Sequence, residues 1–274
     1  MKITFLGGGN MANALIGGLR QQGYSAAGIQ VVEPQAEACE KLTAAYGVRC
    51  VAGVDAAALN CEVLVLAVKP QVMRAALQPL AGKLGGQLVI SIAAGLRLAD
   101  ISRWLGGAAS YRRLVRCMPN TPALIGAGLT GLYADPSVDR EGQGMAEKIL
   151  GAVGRTLWID DEAKMDAVTA ISGSGPGYVF YLMEALENAA RDLGFDDATA
   201  RLMTVETFVG AARLAGQSAE SVAVLRQRVT SKGGTTEAAL NSFEADGVMA
   251  AIRRGTAAAN QRGRELCELL GAEE

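Results

Sequence analysis

The chain has 274 residues, half of them hydrophobic but only 5% aromatic, with a formal net charge of -2. This length admits one large domain or two ordinary ones with aliphatic, alanine-rich cores, and the slight acidic balance argues against nucleic acid as a partner. The chain contains no histidine, which excludes imidazole as general base, nucleophile partner or metal ligand, and no metal site is expected. Five cysteines, at 39, 50, 61, 117 and 267, lack C-x-x-C spacing and read as reduced thiols of a cytosolic protein.

At the start, Lys2 precedes an apolar stretch, but Gly7-Gly8-Gly9-Asn10 interrupts the hydrophobic segment that a secretion signal requires. The longest apolar run, Leu88 to Leu96, is far short of the roughly 20 residues that span a bilayer. The expectation is a soluble, cytoplasmic protein with no membrane partner.

Short β-branched runs then alternate with amphipathic stretches. Strands are predicted at Ile3 to Leu6, Ile29 to Val32, Val63 to Val68, Leu88 to Ile92, Leu114 to Met118, Leu129 to Tyr133 and Thr156 to Ile159. Several are continuously apolar, as strands buried on both faces of a parallel sheet are. Residues 1–160 therefore read as a doubly wound, mostly parallel α/β domain of Rossmann type. After Asp160-Asp161 the spacing becomes helical, with a long helix carrying Met165, Val168, Ile171, Val179, Leu182, Leu186 and Leu193 on one face. Further helices are predicted at Asp197 to Ala215, Ala219 to Val229, Thr235 to Ala245 and Val248 to Leu270, making 161–274 an all-α domain.

Six stretches or positions carry chemistry. Gly7-Gly8-Gly9-Asn10-Met11-Ala12 is a G-x-G-x-x-A turn between a strand and a helix: Gly7 permits the turn, Gly9 admits a pyrophosphate to the backbone, and Ala12 keeps the helix near the sheet. Glu33, at the end of the second strand, stands where a carboxylate would bind an adenosine ribose and disfavour a 2′-phosphate, or else simply turns outward. Ala67-Val68-Lys69-Pro70-Gln71 and Met118-Pro119-Asn120-Thr121-Pro122 occupy other strand ends, and Asn120 offers a donor and an acceptor suited to a carboxamide such as that of nicotinamide, or serves a plain turn.

Ser172-Gly173-Ser174-Gly175-Pro176 interrupts the long helix, and Pro176, lacking an N–H, frees the Ser172 carbonyl from its usual helical role. This break fits either close approach by a ligand or a packing kink. Finally, Val229 to Leu240 is a hydroxyl-rich, glycine-punctuated loop opening into a helix, which is the design of an anion cradle.

Taken in order, Gly-x-Gly-Asn-Met-Ala, Ala-Val-Lys-Pro-Gln, Met-Pro-Asn-Thr-Pro, Ser-Gly-Ser-Gly-Pro and Thr-Ser-Lys-Gly-Gly-Thr-Thr resemble the pyrroline-5-carboxylate reductases over essentially the whole chain. The resemblance implies a Rossmann domain followed by a helical dimerisation domain, dimers that assemble into larger rings, and NADP(H)- or NAD(H)-dependent reduction of a cyclic imine in the last step of proline biosynthesis. It also implies residue roles. Gly7, Gly9, Asn10, Met11 and Ala12 would hold the pyrophosphate, with Glu33 at the ribose and Ala67, Lys69, Pro70 and Asn120 on the nicotinamide side. Ser231, Gly233, Gly234, Thr235 and Thr236 would bind the substrate carboxylate with Ser174 nearby, and Thr236 would be the catalytic hydroxyl facing the ring nitrogen. Two positions depart from the family pattern: Gly177 replaces an alanine, and Lys232 stands where many members have proline.

The missing histidine fits this chemistry, because a substrate that arrives as a protonated iminium needs no imidazole acid. Two other readings are a hydroxyacid dehydrogenase, which would require an acid–base lysine from Lys164 or Lys232, and a nucleotide-sensing protein, in which the loop at 229–240 would have no chemical purpose.

Overall fold

The computed structural model describes residues 1–106 and 110–272. Among these residues the chain forms an eight-stranded sheet and twelve α-helices, in two compact units. One unit runs from Met1 to Ser174 and regains the chain from Ala259 onward; the other is Gly175–Ala258.

In the first unit, β1 (Ile3–Leu6), β2 (Ile29–Val32), β3 (Arg49–Val51), β4 (Val63–Leu66), β5 (Leu88–Ser91), β6 (Leu114–Met118), β7 (Gly128–Ala134) and β8 (Gly154–Trp158) lie in the order 3-2-1-4-5-6-7-8. All neighbours are parallel except β6 and β7, in register at Cys117 and Leu132. The strand order reverses between β1 and β4, and the crevice at such a switch point is where doubly wound sheets bind ligands.

The helices α1 (Asn10–Gln21), α2 (Ala36–Tyr46), α3 (Ala56–Leu59), α4 (Met73–Leu77), α5 (Leu98–Gly106) and α6 (Arg140–Leu150) connect these strands. Because successive strand side chains face opposite ways, Ile3 and Phe5 pack with Leu15, Ile16, Leu19, Ile149 and Leu150, whereas Leu6 joins Leu66, Met73, Leu77, Ile101 and Leu105. Fully burying each such side chain contributes about 1.5–3 kcal/mol, and both faces are covered, as the continuously apolar strands predict.

The remaining helices are α7 (Met165–Val168), α8 (Gly175–Asp192), α9 (Asp197–Gln217), α10 (Val222–Arg228), α11 (Thr235–Ala245) and α12 (Val248–Gly271). The expected continuous helix through Ser172 is instead divided: a single wide π turn, Thr169–Gly173, separates α7 from α8 and is closed by the Ser174 N–H on the Thr169 carbonyl at 2.7 Å. Glycines and a proline weaken the α geometry there, and the wider turn absorbs the irregularity.

The compact units also divide differently from a boundary at 160. Met165 and Ala170 are buried in the first unit, and a Cβ on Gly131 would come within 2.6 Å of Val168. The late part of α12 returns to the same unit, where Gly263 lies against Asp166 and Arg103 donates to the Gly271 carbonyl at 2.9 Å. A buried ion pair ties these pieces: Arg116 of β6 bonds Asp166 at 3.0 Å and Glu162 at 3.3 Å, with the Cys267 sulfur 3.8 Å away.

The cysteines do not all remain thiols. Cys39 of α2 and Cys50 of β3 form a disulfide across an 11-residue separation, while Cys61, Cys117 and Cys267 are free. The chain reverses between α2 and β3 and brings the two Cα atoms to 5.5 Å, a pairing that spacing alone does not announce.

In the second unit α8 packs on α9, and the Asp196 carboxylate caps α9 through the Thr199 N–H at 2.8 Å. Little of its apolar surface is covered within one chain: Phe180 is 62% exposed, Tyr181 74% and Leu202 64%. Apolar exposure on this scale marks an association surface.

Candidate functional site

Four of the candidate stretches in the first unit follow the C-terminal ends of β1, β2, β4 and β6. Gly7 has φ of +103°, a left-handed conformation that disfavours side chains, and a Cβ there would lie 2.8 Å from the Ala67 backbone across the switch point. A Cβ on Gly9 would enter open space, leaving its backbone approachable.

The geometry beyond Gly9 suits an anion. Gly9 caps α1 with no side-chain hydrogen bond, and the first intrahelical bond is from the Asn13 N–H to the Gly9 carbonyl at 2.9 Å. The amides of Asn10, Met11 and Ala12 therefore precede the helical ladder and point outward from its positive end. Ala12 itself is buried against the sheet. These features fit a dinucleotide pyrophosphate, with Gly7, Gly9 and the three amides as its cradle.

Glu33 is held rather than free to swing outward: the Gly8 N–H donates to one carboxylate oxygen at 2.8 Å and the Gln35 N–H to the other at 2.9 Å. It thus couples the glycine turn to the loop that follows β2. On the other side of β1, the Ala67 N–H continues the sheet ladder to the Leu6 carbonyl at 2.8 Å, after which Lys69 caps a short 3-10 turn beginning at Pro70.

Asn120 turns inward. Its Oδ1 accepts from the Leu129 N–H at 2.9 Å, and its Nδ2 donates to the Ser172 carbonyl at 3.1 Å and approaches the Ser172 hydroxyl at 3.4 Å. The carbonyl freed by Pro176 therefore receives a side-chain donor from the end of β6. Ser174 closes the adjoining π turn and is half-buried.

In the second unit, Ser231, Gly233, Gly234, Thr235 and Thr236 form the mouth of α11. Gly233 has φ of +72°, and Gly234 caps the helix without a side-chain bond, so the amides of Thr235, Thr236 and Glu237 precede the ladder that starts from the Ala238 N–H. A Cβ on Gly234 would come within 2.5 Å of the Ser231 hydroxyl oxygen. Glu237, not singled out by sequence, accepts the Gly233 N–H at 2.6 Å; its place in the first turn of a helix, with a glycine four residues before it, is the signal that marks such a contact. Thr236 is half-buried and Lys232 exposed.

Lys164 does not suit acid–base work near neutrality. Its ammonium is bound to Asp160 at 2.7 Å, and this hydrogen bond raises its pKa above the ordinary lysine value. Among the described residues no cluster of three or more acidic, cysteine or histidine side chains is arranged to hold a metal, and no helix is long and apolar enough to cross a membrane.

The chain is similar to known proteins over nearly its whole length. The sequence model described as pyrroline-5-carboxylate reductase dimerisation matches residues 162–266, and that described as NADP oxidoreductase, coenzyme F420-dependent, matches residues 2–95. Pyrroline-5-carboxylate reductase of Pseudomonas aeruginosa is 48% identical, covering 98% of each chain. Among solved structures, a pyrroline-5-carboxylate reductase from Coxiella burnetii superposes with a TM-score of 0.89 at 41% identity, covering 97% of this chain and 98% of the other. The Plasmodium falciparum pyrroline carboxylate reductase with NADP bound gives 0.86 at 25% identity with the same coverage. The chain belongs to the pyrroline-5-carboxylate reductase family.

Proposed function

We propose that this chain reduces 1-pyrroline-5-carboxylate to L-proline, the last step of proline biosynthesis, using NADPH or NADH. When bound, the reduced nicotinamide supplies the hydride that adds to the imine carbon. The observation that most supports this reading is a pair of helix starts without side-chain caps, at Gly9 and Gly234, in a full-length relative of these reductases. One suits a pyrophosphate and the other the carboxylate of a small imine.

On this reading Gly7, Gly9, Asn10, Met11 and Ala12 hold the pyrophosphate, Glu33 meets the adenosine ribose, and Ala67, Lys69 and Pro70 line the nicotinamide side. Ser231, Gly233, Gly234, Thr235 and Thr236 clamp the substrate carboxylate, Ser174 contacts the substrate, and the Thr236 hydroxyl steadies the ring nitrogen. An imine that binds already protonated needs no imidazole acid, which fits a chain without histidine. What remains for the protein is orientation and water exclusion.

The exposed aromatic and aliphatic side chains of the helical unit support self-association as a dimer, and we extend this to a ring of dimers in the cytoplasm. The test follows nicotinamide absorbance with pyrroline-5-carboxylate and with a panel of 2-hydroxyacids, using both cofactors. Turnover of the imine alone is expected, and its absence refutes the reading. Light scattering after size exclusion should give a stoichiometry in multiples of two; a monomer at assay concentration refutes the assembly.

A further inference from the structure

Asn120 stands at the end of β6, on the side of the sheet where the nicotinamide is expected, yet both ends of its amide are spent within the first unit. Its Oδ1 takes the Leu129 N–H at 2.9 Å and its Nδ2 gives a hydrogen bond to the Ser172 carbonyl at 3.1 Å. That carbonyl has an unusual need. Four residues later, where a helix would present an N–H, the chain has Pro176, which carries none. Ser172 lies within the π turn from Thr169 to Gly173, and Gly173 is pressed so close to β6 that a Cβ would meet the Met118 side chain at 2.6 Å. One side chain thus joins the end of β6, the start of β7 and the turn that carries Ser172 and Ser174.

We propose that Asn120 is a positioning residue: it replaces the N–H that Pro176 cannot offer, and so fixes the Ser172–Ser174 turn for the imine without itself binding the nicotinamide carboxamide. The inference rests on the imine-reductase reading. A carboxamide at position 120 suits this because the side chain must accept from one backbone and donate to another at once: an ionised aspartate has no donor, alanine has neither group, and the single hydroxyl of serine is too short to reach both partners.

The experiment is a double-mutant cycle. Asn120→Asp keeps the acceptor for Leu129 but sets a second oxygen against the Ser172 carbonyl, and Pro176→Ala restores an N–H four residues beyond it. In the Pro176 background Asn120→Asp should lower kcat/KM for the imine roughly tenfold, while the Kd for NADPH, read by fluorescence titration, changes less than about twofold. In the Pro176→Ala background the loss should shrink several-fold, because the new N–H supplies what Asn120 no longer does. The same factor should appear with a reduced cofactor bearing an acetyl group in place of the carboxamide.

Equal losses in both backgrounds overturn the proposal. So does a Kd for NADPH weakened tenfold with the acetyl cofactor unaffected, which would make Asn120 a nicotinamide ligand instead. If Asn120→Asp does not accumulate folded, the cycle is run with Asn120→Ser against the same outcomes. Absence of imine turnover by the unaltered protein would count against the reductase reading alone, and the role of Asn120 would then be decided by whether the fall in thermal midpoint caused by Asn120→Asp shrinks in the Pro176→Ala background.

Discussion

Replacing Arg116 by methionine isolates the ion pair that binds three separate parts of the first unit. The Arg116 side chain is only 4% exposed, and its guanidinium contacts Asp166, 8% exposed, and Glu162, 24% exposed. Methionine retains much of the apolar stem but removes the charge, leaving the Asp166 carboxylate with the Cys267 thiol at 3.4 Å as its remaining side-chain partner. Breaking a buried pair from one side costs about 3–5 kcal/mol, because the surviving charge stays desolvated. Glu162 adds little to this figure, since it reaches water and keeps its bond to the Leu98 N–H at 2.7 Å. At about 2–4 °C per kcal/mol for a protein of this size, the thermal midpoint should fall by roughly 10 °C. Urea titration should show a lower midpoint at unchanged slope. The double variant Arg116→Met/Asp166→Leu removes both charges and should recover more than half of the loss. A single-variant loss below about 1 kcal/mol, or a double variant whose loss equals the sum of the two singles, would refute the reasoning.

Two kinetic predictions and one on cofactor binding accompany it. Thr236→Ala should raise KM for the imine and lower turnover, a combined loss of about 0.5–1.5 kcal/mol in transition-state binding, or more if a polar partner is left bare; unchanged steady-state constants would remove Thr236 from the mechanism. Glu33→Ser should raise the ratio of kcat/KM for NADPH over NADH, because the carboxylate held at Gly8 and Gln35 is lost, and a ratio that does not move would show that Glu33 serves only the glycine turn. Gly7→Ala should weaken cofactor binding at least tenfold by titration, since a side chain at φ +103° and 2.8 Å from the Ala67 backbone forces the turn open; a Kd within twofold of the parent would contradict this geometry.

Much of the sheet was legible because the signal it carries is collective. β1, β2 and β6 begin and end where their apolar runs do, and α11 starts at Thr235 because Gly233-Gly234 marks its mouth. β3 escaped notice for a physical reason: it is three residues long, begins with an arginine and lies at the sheet edge, so neither length nor hydrophobicity distinguishes it. The disulfide depends on that strand, and spacing could not supply it. Within the site, the glycine turn and strand-end loops follow from local pattern, and Pro176 foretold a carbonyl without a helical donor. Neither the π turn nor the donor from Asn120 was legible, since a one-residue widening leaves no periodicity and Asn120 lies 52 positions from Ser172. Glu237, by contrast, was legible in principle from its place in the first turn of α11.

The return of α12 to the first unit has a consequence for how the molecule is made. Arg116 meets Cys267 across 151 positions, so the nucleotide-binding unit contains a piece that leaves the ribosome only after the whole helical unit. At about 5–20 residues per second, synthesis from Ser174 to Ala259 takes on the order of ten seconds. During that interval Arg116 and Asp166 are present but the helix that covers them is not. The unit that comes first in the chain is therefore among the last to be finished, and a ribosome that stalls in the helical unit would release a sheet with its charged pair exposed.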